Sequence, residues 1–283
     1  HRGPDDHGVW INESATVAIG HRRLSILDTS SHGHQPMVSP CGKFVLAYNG
    51  EVYNHLEIRA ELTQAGATFR GTSDTETLVT AFSHWGVAKT IRRSIGMFAM
   101  ALWNVPEQSL TLVRDRLGIK PLYYGISNGC LLFGSELKSL RVHPAFDSEL
   151  STGAISRFLQ HCYVPSPLTI HAAIHKLTAG SFLTIPYGTA ARSTDDLPGP
   201  TVWWDAAKVA RQSMANPFSG SRLAAADELD ALLSDAVRLR MLSDVPLGAF
   251  LSGGIDSSLV CALMQKQSDR PVRTFTIGFE EAG

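Results

Sequence analysis

The run Met97-Phe98-Ala99-Met100-Ala101-Leu102-Trp103 constrains this chain more than any other stretch. It is apolar on both faces, and a strand of that kind needs a packed layer on each side. It falls far short of the roughly 20 apolar residues that cross a bilayer, and no basic-then-apolar signal segment precedes it. A layered α/β or α+β domain is therefore favoured over an open antiparallel sheet, with no membrane partner.

Short runs rich in β-branched and aromatic residues flank it from Val17 to about Ile185. Strands are expected at Val17 to Gly20, Phe44 to Tyr48, Leu110 to Arg114, Leu122 to Gly125, Leu131 to Gly134 and Ser181 to Ile185. Helical spacing marks Asn54 to Ala65 and Thr75 to Trp85. Between Pro186 and Ser221 the pattern breaks into Gly, Pro, Ser, Thr, Asp and Ala, which reads as a domain boundary. Trp203 and Trp204 lie inside that break and are expected to pack against a domain.

The grammar then changes. Leu229, Leu232, Leu233, Ala236 and Val237 make one helical stripe, with Pro246 expected to end the element. Strand Leu247 to Leu251, a loop at Ser252 to Ile255, helix Asp256 to Gln267 and strand Arg273 to Phe279 read as the opening of a parallel doubly wound domain. The expected division is thus 1–187, a linker over 188–221, and 222–283.

Charge narrows the partners: 25 Lys plus Arg against 26 Asp plus Glu leaves no basic field for nucleic acid. Cys41, Cys130, Cys162 and Cys261 are widely spaced with no Cys-x-x-Cys pair, as expected of reduced thiols in a cytoplasmic protein. His32-x-His34 near Cys41 has no second ligand pair at zinc spacing and reads as a solvated loop.

Leu251-Ser252-Gly253-Gly254-Ile255-Asp256-Ser257-Ser258 sits between an apolar strand and a helix, where backbone N–H groups and the helix dipole can cradle an anion. Paired glycines can equally make a plain strand-to-helix turn, with Asp256 and Ser257 as caps. It is not a Walker A loop, since no Lys precedes the serines. The whole string resembles the Ser-Gly-Gly-x-Asp-Ser loop of ATP pyrophosphatases, which activate a carboxylate as an acyl-adenylate. That resemblance implies ATP as cosubstrate, pyrophosphate held by Ser252, Gly253, Gly254, Ser257 and Ser258, and Mg²⁺ placed by Asp256. It implies too that Leu251 and Ile277 flank the adenine.

In the first half, His1-Arg2-Gly3-Pro4-Asp5-Asp6-His7-Gly8 is by itself a polar turn. Arg23-Leu24-Ser25-Ile26, Asn49-Gly50-Glu51-Val52-Tyr53-Asn54, Thr72-Ser73-Asp74 and Arg114 to Tyr124 follow it in order. Singly, each has a plain reading: Asn-Gly as a tight turn, Arg23 as a surface ion pair, Asp74 as a helix cap. Together they resemble the glutaminase domain of class II glutamine amidotransferases, and Asn-Gly-Glu with Arg-Leu-Ser-Ile points to the asparagine synthetase branch. The resemblance implies an α+β glutaminase domain of the αββα N-terminal-nucleophile type, followed by the start of an α/β doubly wound parallel-sheet ATP pyrophosphatase domain. In it, Arg23 would hold the α-carboxylate of L-glutamine through a planar fork, and Asp74 with Glu51 its ammonium. Asn49, through its side-chain amide, and Gly50, through its N–H, would form the oxyanion hole. The segment Arg114 to Tyr124 is expected to shape a hairpin.

The family's nucleophile is an N-terminal Cys whose own α-amino group is the base. This chain opens at His1 without it and stops at Gly283 after an expected strand, so it reads as a fragment that binds glutamine at best. The resemblance implies that the parent protein makes L-asparagine from L-aspartate, L-glutamine and ATP through β-aspartyl-AMP and channelled ammonia, with room for a homodimer. Two rivals stand beside it: an amidotransferase acting on another carboxylate, such as a sugar acid in surface polysaccharide synthesis, and a non-catalytic glutamine- or nucleotide-sensing protein.

Overall fold

The first described element is a strand. In the computed structural model, which describes residues 2–278, β1 (Asp6–Ile11) pairs antiparallel with β2 (Ala18–Arg23), from Asp6↔Arg23 to Ile11↔Ala18. The expected polar turn is therefore confined to the lead-in before Asp6. His1 and residues 279–283, including Phe279 of the last expected strand, lie outside the described residues.

β3 (Met37–Val38), β4 (Phe44–Val52), α1 (His55–Gln64), α2 (Asp74–Arg93), β5 (Gly96–Asn104) and β6 (Ser109–Arg114) come next. Helix α2 runs past the expected end at Trp85, because Gly86, at φ 74°, bends the chain and lets it resume. β7 (Tyr123–Ser127), β8 (Cys130–Gly134), α3 (Leu137–Arg141), α4 (Thr152–His161), β9 (His175–Lys176), β10 (Ser181–Pro186) and β11 (Thr201–Val202) follow. The main sheet has the order β11-β10-β6-β5-β4-β3, every neighbouring pair antiparallel.

Period-two alternation sorts the sheet's side chains into two cores. Leu46, Tyr48, Val52, Phe98, Met100 and Leu102 face α1 and α2, meeting Ile58, Leu62, Leu78 and Phe82. Val45, Ala47, Ala99, Ala101, Trp103 and Leu112 face the other way, toward Ile19 of β2 and Tyr124 and Ile126 of a second sheet, β8-β7-β9. On that sheet's outer side Leu132 and Ile174 pack with Leu140 of α3. The order helix, sheet, sheet, helix is the expected αββα sandwich, with the β5 run covered on both faces.

Trp203, just after β11, is buried and stacks on Phe98 with ring centroids 6.3 Å apart, so part of the composition break joins the first core. α5 (Ala206–Ala215) lies inside that break too; its Ala-rich, largely exposed face carries no core stripe to reveal it. α6 (Arg222–Arg240) ends on Met241 well before Pro246, because the chain turns away there rather than at the proline. β12 (Gly248–Phe250) and β13 (Arg273–Phe275) pair in parallel with α7 (Ile255–Lys266) between them, the strand-helix-strand unit of an α/β sheet. α6 lies against α7 through Lys266–Asp230 at 3.3 Å and Gln267 Nε2 to Ser234 O at 2.9 Å. Among the described residues, no helix is long and apolar enough to cross a membrane.

Candidate active site

Arg23 ends β2 beside a cleft of about 1030 Å³ lined by Asp5, Asp6, Leu24, Ser30, His34 and Val245, among others. The guanidinium is buried and turned onto its own loop. Nη1 donates to Ser30 O at 3.0 Å, and Nη2 donates to Leu27 O at 3.1 Å and also to Asp28 O. Of its five N–H donors, that leaves Nε and one on Nη1. The fork expected to grip a carboxylate is thus partly committed to shaping the 26–30 loop, and Arg23 is no surface ion pair. Gly33 makes this seat possible, since a Cβ there would lie 1.8 Å from Arg23 Nη2. Asp5 accepts the Ser25 N–H at 2.8 Å and Asp6 bonds His34 at 2.7 Å, so the lead-in to β1 closes the other wall.

Asn49, Gly50 and Glu51 lie within β4, opposite Ala99, Phe98 and Met97, so the pair Asn-Gly is not a turn. A Cβ on Gly50 would sit 2.1 Å from Met97 O, so the strands can close only over glycine. The N–H and C=O of Phe98 are both taken by Asp115, at 3.1 and 2.8 Å. Gly50 therefore forms a non-hydrogen-bonded pair with it, and its own N–H points to the opposite edge. On that edge the Tyr48 N–H is taken by Gln35 Oε1 at 2.7 Å and the Val52 N–H by Asp74 Oδ2 at 3.1 Å. Between them, β3 has ended and the Gly50 N–H has no acceptor among the described residues. The Asn49 amide donates to Ser135 Oγ at 3.1 Å.

Asp74 opens α2, but the cap is Ser73, whose hydroxyl accepts the Glu76 N–H. The buried Asp74 carboxylate takes the Tyr48 hydroxyl at 2.8 Å as well as Val52 N–H. Burial holds its carboxyl above the usual range despite those donors. Burial also pushes Glu51 up to about 7, helped by the Asp74 charge and opposed by Lys120 and Arg240. Arg23 makes no hydrogen bond to this group among the described residues. It connects through His21, two residues earlier, whose Nε2 lies 3.0 Å from Tyr48 O. Gly33, His21, Tyr48 and Asp28 were not singled out in the sequence; only the proximity of Asp28 to Arg23-Leu24-Ser25-Ile26 offered a signal.

The Glu51 shift has a stability consequence with a definite sign. An acid whose folded pKa is raised stabilises the fold fully below its unfolded value near 4.5, and that contribution is lost as pH rises through about 7. Chemical denaturation across that window is expected to show Glu51→Gln flattening the decline in stability of the parent chain. An unchanged slope would remove the half-buried carboxyl from the account.

In the second half, Ser252 to Gly254 form the turn into α7, and Asp256, Ser257 and Ser258 lie in its first turn. Gly253 has φ 79° in open space, a conformation L-residues rarely adopt. Gly254 is the N-cap and supplies no side-chain acceptor, so first-turn N–H groups of α7 face the loop. Ser252 and Ser257 hydroxyls lie 3.0 Å apart, and Ser257 Oγ donates to Gly254 O at 3.2 Å. Asp256 makes no side-chain hydrogen bond among the described residues, so it is not the cap the plain reading required. Leu251 N–H bonds Phe275 O at 2.9 Å, placing Leu251 and the exposed Ile277 at the ends of neighbouring strands. A carboxylate without a hydrogen-bond partner among the described residues, beside a glycine turn and a helix N-terminus, suits a hard cation completed by phosphate oxygens.

Comparison with known proteins supplies the family. The family model described as glutamine amidotransferase domain matches residues 1–195, and one described as asparagine synthase matches residues 228–283. The chain belongs to the glutamine amidotransferase domain family. The putative asparagine synthetase (glutamine-hydrolyzing) of Mycobacterium tuberculosis is 37% identical over 100% of this chain and 43% of its own length. Asparagine synthetase (glutamine-hydrolyzing) 1 of Bacillus subtilis is 36% identical over 100% of this chain and 42% of its own length. A relative from Gibberella zeae named amidase chry2 is 33% identical over 93% of this chain and 37% of its own length. The chain spans less than half the length of these relatives.

Proposed function

We propose that the whole protein containing this chain is a glutamine-hydrolysing asparagine synthetase. The observation that carries the reading is the Gly50 N–H, left without an acceptor on the β4 edge between two neighbours that are paired. A carbonyl oxygen turning into an oxyanion there meets a donor already in place, with the Asn49 amide beside it. The remaining donors of Arg23 take the glutamine carboxylate. Glu51 and Asp74 take the ammonium, whose charge returns both acids to their ionised forms.

The nucleophile of this reading is the family's N-terminal Cys. Its thiolate attacks the carboxamide, the amide C–N bond breaks, ammonia leaves with a proton, and water then releases glutamate. In the second half, the Ser252–Ser258 segment and the first-turn N–H groups of α7 bind the leaving pyrophosphate while the aspartate β-carboxylate displaces it from ATP. Asp256 would hold Mg²⁺, which neutralises phosphate charge when bound. Ammonia attacks the acyl-adenylate, releasing AMP and giving asparagine.

Similarity to a protein named amidase keeps one other reading in view: the same two sites serving a different acceptor carboxylate. The test is whole protein supplied with amide-¹⁵N-glutamine, ATP and a panel of acids. The expected result is label in asparagine only with aspartate, one pyrophosphate per label transferred. Label on another acid corrects the acceptor, and release of orthophosphate alone overturns the adenylate.

A further inference from the structure

The glutamine cleft is not built by the first half alone. Val245, from the segment between α6 and β12, lines it beside Arg23. The preceding residue, Asp244, grips the loop that Arg23 organises: Asp28 N–H donates to Asp244 Oδ2 at 2.7 Å, and Asp244 N–H donates to Ile26 O at 3.1 Å. A second tie lies nearby, where the Arg240 guanidinium sits 4.5 Å from the centre of the Tyr53 ring.

Asp28 is the residue through which both ends of the cleft are set. Its carbonyl accepts from Arg23 Nη2, and one carboxylate oxygen takes the N–H and hydroxyl of Ser30. The other oxygen takes the Thr72 N–H at 2.7 Å, two residues before Asp74. Asp28 is buried and sits at φ 52°, the left-handed region that non-glycine residues hold only when their surroundings enforce it. Its backbone N–H has a single acceptor among the described residues, and the second half supplies it. The Cβ of any residue replacing Gly71 would lie 2.4 Å from Asp28 Oδ2, so the packing around this hub leaves little slack.

We infer that Asp244 is a positioning residue of the glutamine site: by holding Asp28 it fixes both Arg23 and the 70–74 loop, and the site is fully formed only with the second half docked. This rests on reading Arg23 as the carboxylate ligand. Asp244 is exposed, and its carboxylate makes no other hydrogen bond among the described residues, so its removal acts on the fold only through Asp28.

The test measures glutamine hydrolysis by the whole protein. Asp244→Ala is expected to raise KM for glutamine about tenfold or more, the scale of one lost hydrogen bond to a charged acceptor, with a smaller change in kcat. Asp244→Asn keeps an acceptor oxygen and is expected to restore KM to within about threefold of the parent, a rescue that general destabilisation would not give. An unchanged KM in Asp244→Ala, a fall in kcat alone, or equal loss in the Ala and Asn variants would overturn the inference. Arg23→Ala run alongside separates the failures. If it raises KM while Asp244→Ala does not, only the inference is lost; if Arg23→Ala leaves KM untouched, the glutamine reading goes and the inference with it.

Discussion

Asp256→Asn is expected to lower ATP-to-pyrophosphate turnover by about 10²-fold or more, with glutamine and with ammonia alike, since on the proposed reading it removes a carboxylate that would bring a hard cation to the leaving group. The stability cost should be small. Gly254 is the N-cap of α7, and the Asp256 carboxylate has no hydrogen-bond partner among the described residues, so Asn breaks no contact. Exposed changes of this kind fall within about 0.5 kcal/mol. Glutamine hydrolysis, which uses the other half, should persist, and the melting temperature should barely move. A variant that still forms acyl-adenylate at the parent rate would reduce the loop to a strand-to-helix turn.

The elements that announced themselves in the sequence are those whose burial follows a local period. The β5 run has apolar residues on both faces because both faces are covered, and the two stretches read as helices around Leu62 and Leu78 carry stripes that meet the main sheet. Where the local signal fell short, a distant contact decided. Asn49-Gly50 is the same turn-prone pair as Asn128-Gly129, which does turn between β7 and β8, yet it lies in mid-strand, with Met97 O and the Phe98 backbone where a Cβ would be. The helix expected to end at Trp85 resumes beyond Gly86, with Thr90 and Ile91 buried in α2. Trp203, expected to pack against a domain, does so and closes the first core against Phe98.

For the site, chemistry was legible and arrangement was not. Residue types at Arg23, Asn49, Glu51 and Asp74 match the charges and dipoles of glutamine whatever the fold. That Asp74 accepts from Tyr48 and Val52 rather than capping its helix depends on β4 and α2 meeting side by side. The role of Asp28 depends on three segments remote from one another in sequence, and no window along the chain contains them all.

Arg23→Ala is expected to cut glutamine-dependent synthesis by about 10²-fold or more, the scale of stranding a charge in a partly buried pocket, while synthesis from added ammonia continues. Two effects combine. The variant loses the donors still free for the substrate carboxylate, and it releases Ser30 O, Leu27 O and Asp28 O, which the guanidinium now gathers. Arg23→Lys tells these apart. A single ammonium retains the charge but cannot reach three carbonyls from one side and a carboxylate from the other. Should Lys recover most of the glutamine activity, charge on the substrate dominates and the loop tolerates disorder. Should Lys match Ala, the planar geometry of Arg23 is required, and the 26–30 loop is as much a part of the binding site as the guanidinium itself. Equal loss with glutamine and ammonia in either variant would place Arg23 outside the glutamine pocket.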